Sequence, residues 1–521
     1  MERQTQTAVV IGAGMGGLAA AIRLAAAGAK VTLIEAASTL GGKMRTLPSA
    51  AGPVDAGPTV LTMRHVFDDL FAFAGDRLEN HLTLIPQPIL ARHWWPDGSR
   101  LDLHSDTEAN VEAIRAFAGN READAFRRFD ALSNALFRTF DAHVMQSAQP
   151  SLATVTRAAL RQPRLWPALL PAMTLTRLLR LHFRDPRLVQ LFARYATYVG
   201  GRPGHSPGVL ALIWRAEAAG VWAVQGGMHH LAIALAALAE RMGVRILYAT
   251  RATRIVTQGG HVTGVQIDGD ITLPCTACVF NGEPAALTSG LLGEATTTVL
   301  PRSATEPRSL SAWVWSFAAT PDGPLARDLI HHNVFFSAKP AAEFGPIGRG
   351  RMPDQPSLYI CAEDRAAGPP QTANERFEII VNGPAGHATT AEEFARCSTR
   401  TFDPLRRLGL TFSPQPEASA LTTPAMLAKL FPASQGAIYG RSPEGLMAAF
   451  QRPPAVTALP GLYLAGGGAH PGAGVPMAAL SGKHAAEAIM TGRTSRSMSR
   501  PTATPGGIST VSPTTEPAPS R

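Results

Sequence analysis

The sequence predicts an α/β protein: a dinucleotide-binding domain on a parallel sheet, a second sheet-based domain and a separate helical lobe. Three observations carry this prediction. A β-branched strand runs into a GxGxxG turn and a helix at residues 8–28, and a second glycine-rich strand and helix, "LYLAGGGAHPGAGVPMAALSG", occupies 462–482. An arginine- and leucine-rich stretch at 151–200 reads as short helices. With 521 residues the chain can build two or three substructures with sizeable cores.

The first element is "AVVIGAGMGG", a strand followed by Gly12, Gly14 and Gly17. Gly12 permits the tight turn, Gly14 lets the backbone approach a pyrophosphate, and Gly17 lets helix and strand pack closely. "LAAAIRLAAAG" is the helix, closed by Gly28, and "KVTLIEA" the second strand, ending in Glu35, whose carboxylate suits two ribose hydroxyls. Strand, turn, helix, strand and acid in this order define a Rossmann-like nucleotide site. A second glycine turn at Gly41 and Gly42 follows, and Lys43 and Arg45 are expected to bring positive charge near a pyrophosphate or flavin. At the far end the strand Leu462 to Ala465 leads through Gly466, Gly467 and Gly468 to a helix from Val475, again an anion-favouring N-terminus.

Between these ends, "GVRILYATRATRIVTQGGHVTGVQIDGDITLPCTACVFN" alternates as short strands joined by glycine turns. The stretch 151–200 carries arginines at 157, 161, 164, 177, 180, 184, 187 and 194 among leucines, and Pro163, Pro167 and Pro171 divide it into short helices. Such a lobe fits peripheral contact with an anionic membrane; the competing reading is a solvated arginine face over an ordinary helical core. The Ser-, Thr- and Pro-rich segment 493–521 reads as a disordered tail.

Net charge of +9 and a pI of about 9.8 favour an acidic partner or surface. Nucleic acid is the weaker option, because zinc-finger spacing, ribonucleoprotein aromatics and lysine runs are missing from the sequence. Four cysteines argue against a disulfide framework, and the lone Cys275/Cys278 pair reads as structural, so no metal is expected. Only "MERQTQT" precedes the first strand and no stretch reads as a membrane span, so the chain is expected to be cytoplasmic.

The motifs "GGKMRT", "DAGPTV", "GGMHHLAIALAALAERMGVRI", "HHNVFFS", "GAIYGRSPEGLMAAFQRP" and "LYLAGGGAHPGAGVPMAALSG" follow the opening fingerprint in order across residues 8–490. In this the chain resembles the bacterial phytoene desaturase type of carotenoid desaturases, within the amine oxidase superfamily of FAD proteins. "GPTVLTMRHVFDDLF" and "LARHWWPDGSRLDL" resemble more narrowly the 1-hydroxycarotenoid 3,4-desaturases. Ala252 departs mildly, standing where related flavoproteins place a valine against the adenine.

The resemblance implies FAD as cofactor, held by Gly12, Gly14, Gly17, Glu35, Gly42, Lys43, Arg45, Gly57, Pro58, Thr59, Gly466, Gly467, Gly474, Val475 and Pro476. It implies FAD-binding segments at 1–80, 221–290 and 456–492, substrate-domain segments at 81–110 and 291–455, and the helical lobe at 111–220. The expected substrate is an acyclic carotenoid, the electron acceptor oxygen or a quinone, and the location the cytoplasmic face of the inner or photosynthetic membrane.

Hydride loss from the allylic C4 to the flavin, then proton loss from C3, would complete a C3–C4 double bond. The intermediate polyene cation is a strong acid, so no strong base is needed and no catalytic residue stands out. His331 and His332 are candidates for a proton relay, with a structural role as the plainer reading. Trp94 and Trp95 read as core or as tunnel lining, and Glu363, Asp364 and Arg365 as a turn with an internal ion pair. A general phytoene desaturase, an FAD-dependent carotenoid isomerase and a non-catalytic prenyl binder are the alternatives.

Overall fold

The computed structural model describes residues 6–445 and 447–492; the segment 493–521, expected to be a disordered tail, lies outside the described residues. The nucleotide-binding half is a five-stranded parallel sheet assembled from distant stretches of chain. Its strands are β1 (Thr7–Ile11), β2 (Lys30–Ile34), β3 (Arg245–Leu247), β4 (Ala277–Phe280) and β5 (Leu462–Leu464), in the order β5-β4-β1-β2-β3. Val10 aligns with both Val279 and Leu33, which places the apolar β-branched run of β1 at the centre, buried on both faces.

Three helices cover this sheet: α1 (Met15–Ala26), α2 (His229–Arg241) and α3 (Val475–Met490). Alanines and glycines on α1 let α3 approach closely, since a Cβ added at Gly482 would lie 2.3 Å from the Gly16 carbonyl oxygen. Gly28 follows α1 at φ +88, the left-handed conformation that ends a helix. The predicted strand at the far end runs Leu462–Leu464, and the predicted helix starts at Val475.

The second domain is an eight-stranded sheet, with strands ordered 411–413, 311–322, 375–383, 358–362, 332–335, 89–94 and 100–104, and Leu421–Thr422 paired beside 311–322. Its core is aromatic, built on Trp313, Trp315, Phe317 and Phe377. Trp313 Nε1 donates to Glu393 Oε1 at 2.8 Å and so fixes the helix Glu393–Arg407 against the sheet.

The lobe consists of helices, among them Asn120–Phe140, Leu152–Leu160, Leu175–His182 and Pro186–Ala193. Pro163, Pro167 and Pro171 interrupt it into short pieces, and Phe126, Phe129, Phe183, Phe192 and Trp214 fill its centre. Arg157, Arg161, Arg164, Arg177, Arg180 and Arg184 are exposed, and none forms an ion pair among the described residues. Two other arginines of the run form ion pairs. Arg187 pairs with Asp185 at 2.7 Å, and Arg194 is buried against Glu217 at 3.3 Å and Tyr198.

Candidate active site

The first part of the site is a cleft between the N-termini of α1 and α3. α1 is preceded by Gly14 and α3 by Gly474; neither cap has a side-chain hydrogen bond, and neither helix has an acid in its first turn. The first amides of α1, and those of Val475 and Met477 on either side of Pro476 in α3, are therefore free to meet an anion. Gly12, at φ +98, makes the turn, and a Cβ at Gly17 would lie 2.1 Å from the Gly12 carbonyl. Gly14 bridges to Gly41 of the second glycine turn, and Gly466 comes against Gly16 so closely that a Cβ there would lie 2.4 Å from the Gly466 nitrogen. At the end of β2, Glu35 Oε2 accepts from the Ala13 amide at 2.8 Å and Oε1 from the Ala37 amide at 2.9 Å. These bonds orient the carboxylate and leave each oxygen a lone pair for a ribose hydroxyl.

Uncapped helix ends, a glycine floor and an oriented acid fit a dinucleotide such as FAD. Lys43 and Arg45 contribute differently from expectation: Lys43 Nζ donates to the Ile438 carbonyl at 2.8 Å and Arg45 to Thr422 Oγ1 at 2.6 Å. Both cations thus tie the glycine turn to the second domain, and backbone amides remain to neutralise phosphate. Asn281, which motif reading missed, donates from Nδ2 to the Gly12 carbonyl at 3.0 Å and holds the turn from the end of β4.

Gly57, Pro58 and Thr59 run beside this turn; a Cβ at Gly57 would lie 1.9 Å from the Lys43 carbonyl. Just before them, Asp55 accepts the Met228 and His229 amides at 2.5 and 3.2 Å and so caps α2. Its own amide donates to Glu363 Oε1 at 2.8 Å, and Arg376 stands 3.2 Å from Glu363 Oε2. Burial pushes the Asp55 carboxyl upward, and the two amides and Arg376 oppose that shift. Burial and the Asp55 charge push the Glu363 carboxyl up to about 8. Glu378 is fully buried nearby, and burial likewise pushes its carboxyl upward. The ion pairs of the 363–365 turn run outward, contrary to the expected internal pair: Asp364 binds Arg376 at 2.7 Å and Arg365 binds Glu375 at 2.6 Å.

The second part of the site is a cavity of about 1690 Å³, lined mostly by apolar side chains. Pro58, Thr59, Gly474, Val475 and Pro476 form one wall, so the cavity begins where the nucleotide cleft ends. From there it passes Trp95, Phe336 and Tyr359 and reaches the lobe, where Leu160, Trp166 and Leu170 line it. Those three are also among the exposed large apolar residues, at 63%, 49% and 52%. Trp95 belongs to the cavity wall and Trp94 to the core of the second sheet.

Neither predicted histidine lines the cavity. His331 Nδ1 lies 3.0 Å from the Ala362 carbonyl and its Nε2 3.9 Å from Cys361 Sγ; burial lowers its pKa to about 4. His332 is also buried, and reaches the cavity only through Tyr359, whose hydroxyl lies 2.7 Å from Nδ1. Cys275 and Cys278 are buried free thiols.

Cleft and cavity together define a flavoprotein of the amine oxidase fold, with a deep apolar substrate site. The sequence pattern of flavin containing amine oxidoreductases matches residues 15–316. The hydroxyneurosporene desaturase of Cereibacter sphaeroides is 63% identical over 94% of this chain and 98% of its own. That of Rhodobacter capsulatus is 59% identical over 95% and 99%. Among solved structures, cyclohexylamine oxidase from Brevibacterium oxydans superposes with a TM-score of 0.58 at 18% identity, over 94% of this chain and 99% of that one, and so shares the fold. The chain belongs to the flavin containing amine oxidoreductase family, in the group of the hydroxyneurosporene desaturases. Its cofactor is FAD.

Proposed function

We propose that the protein introduces the C3–C4 double bond into acyclic 1-hydroxycarotenoids such as 1-hydroxyneurosporene, within carotenoid biosynthesis. One observation carries this reading beyond the family: the apolar cavity is walled by Gly474, Val475 and Pro476 at the N-terminus of α3 and by Pro58 and Thr59 next to Gly57, where it adjoins the nucleotide cleft. A long hydrocarbon can therefore lie with one end against the flavin and the other in the lobe.

FAD supplies the hydride acceptor. The protein's own share is positioning. The helix ends and Glu35 hold the dinucleotide, while Pro58, Thr59, Val475 and Pro476 fix where the substrate chain meets it. Apolar walls exclude water from the polyene cation, whose acidity makes a weak proton acceptor at C3 sufficient. Burial of the hydrocarbon gains about 25 cal/mol per Å2 relative to water, but the bilayer offers much the same gain, so selectivity must come from shape and from polar end groups.

Membrane contact is part of the proposal. Leu160, Trp166 and Leu170 rim the cavity, and the same lobe exposes six arginines that form no ion pair among the described residues. This combination suits apolar residues dipping below anionic headgroups at the cytoplasmic membrane face. Among the described residues no helix is long and apolar enough to cross a membrane. Reoxidation by oxygen or a quinone completes the proposal, and a quinone would share the bilayer that the lobe faces.

Competition between 1-hydroxyneurosporene, neurosporene and phytoene, with products read by absorption and mass, tests the reading. Preferential C3–C4 desaturation of the hydroxylated substrate supports it. Conversion of phytoene to lycopene at a comparable rate would make the protein a general phytoene desaturase.

A further inference from the structure

The cavity is apolar along most of its length but carries a hydrogen-bonded chain where it meets the nucleotide cleft. Thr59 Oγ1 and the Tyr359 hydroxyl, both on the cavity wall, lie 2.6 Å apart. Behind them, His332 Nδ1 lies 2.7 Å from the same Tyr359 hydroxyl, and His332 Nε2 is buried with no partner among the described residues. Thr59 Oγ1 has no second hydrogen bond among the described residues.

The protons of this chain can be ordered. A buried N–H left unpaired is rarer and costlier than a buried acceptor left unpaired, so the neutral His332 ring carries its proton on Nδ1. Nδ1–H then donates to Tyr359, Tyr359 donates to Thr59, and the Thr59 hydroxyl proton is left facing the cavity. Burial, the main influence on His332, lowers its pKa well below the usual range and keeps the ring neutral.

Position selects the occupant. Under the proposed reaction the 1-hydroxyl is only three carbon–carbon bonds from C4, the carbon that loses hydride, so the group that recognises this oxygen must lie beside the cofactor. Thr59 sits in the segment that joins cleft to cavity, two residues beyond Gly57. Of the other polar groups of the cavity, Glu343 is engaged with Ser357 at 2.7 Å and Asn382 at 2.9 Å, and Arg194 with Glu217 and Tyr198, while Ser337 Oγ has no partner among the described residues but does not belong to the segment that joins cleft to cavity.

We infer that Thr59, oriented by Tyr359 and His332, donates a hydrogen bond to the 1-hydroxyl oxygen of the substrate, and that this pair of hydroxyls sets the preference for hydroxylated over unhydroxylated carotenoids. The inference rests on the 1-hydroxycarotenoid reading above. A carotenoid without the hydroxyl would bury Thr59 with an unused donor, a mismatch that discriminates by roughly tenfold to a hundredfold.

The test compares kcat/KM for 1-hydroxyneurosporene and neurosporene in wild type, Thr59→Val and Tyr359→Phe, normalised to bound FAD. The ratio of dissociation constants for the two carotenoids is read in parallel from quenching of tryptophan fluorescence. The expected result is a fall of tenfold or more in the hydroxylated-to-unhydroxylated ratio in Thr59→Val, with a fall in the same direction in Tyr359→Phe. If wild type prefers the hydroxylated substrate and Thr59→Val keeps that preference, the inference is overturned while the proposed function stands. If wild type shows no preference, both fall.

Discussion

The α-carbon of Gly16, in the first turn of α1, faces the backbone nitrogen of Gly466, 450 residues further along, at a distance that leaves no room for a side chain. The two ends of the nucleotide-binding domain are closed by this contact. A methyl group at Gly16 would also lie 2.7 Å from Asn281 Oδ1. Gly16→Ala is therefore expected to destabilise the protein by about 1–3 kcal/mol through overpacking and to loosen FAD. Lower apparent Tm and a smaller FAD-to-protein ratio after gel filtration check this.

Glu35→Gln should weaken FAD more mildly. The substitution keeps the shape but removes one of two acceptor oxygens and the charge, so one of the Ala13 and Ala37 amides loses its partner. The expected cost is about 1–2 kcal/mol, roughly tenfold in Kd, measured by titrating FAD into the apoprotein.

How much of this was readable beforehand follows from where each signal resides. The cleft was readable because strand, turn, helix and acid lie in one continuous run, Val9 to Glu35, with local glycine spacing. The cluster of Asp55, Glu363 and Arg376 was not, because Asp55 and Glu363 lie 308 positions apart. Those contacts exist only once the second sheet has formed. The arginine run shows the same limit: composition groups Arg187 and Arg194 with their neighbours, but Asp185 pairs with Arg187, and Glu217 and Tyr198 hold Arg194 in the interior. Lys43 and Arg45 sit beside the glycine turn as expected, yet their reach is decided by Ile438 and Thr422.

Acid and alkali should act on different groups. His331 has a folded-state pKa of about 4 against 6.5 in the unfolded chain, because burial disfavours its charge. Between these values the unfolded chain binds more protons, so apparent Tm should fall as pH drops from 6.5 toward 4. Glu363 has the opposite sign: raised from 4.5 to about 8, it stabilises below 4.5 and loses that contribution as pH rises through 8. Glu363→Gln should flatten the fall of Tm between about pH 5 and 8. An unchanged alkaline slope in the variant would place the proton elsewhere.

The lobe gives a prediction about lipid. Replacing Arg177, Arg180 and Arg184 together by Gln removes three exposed charges, each worth about 1 kcal/mol near an anionic surface, or roughly a hundredfold in vesicle affinity combined. Sedimentation with phosphatidylglycerol vesicles at two salt concentrations measures this, and the residual binding should be less salt-sensitive. Equal sedimentation of variant and wild type would make the lobe an ordinary packed subdomain.

The central claim is that the apolar cavity delivers a hydroxylated carotenoid to the flavin for net oxidation. A single anaerobic turnover tests it most directly: oxidised holoenzyme is mixed with limiting 1-hydroxyneurosporene, and flavin absorption and product mass are followed together. One flavin should be bleached for each product molecule, and that product should lack two hydrogens and absorb at longer wavelength. A product of unchanged mass, formed without loss of flavin absorption, would contradict the claim and identify an isomerase.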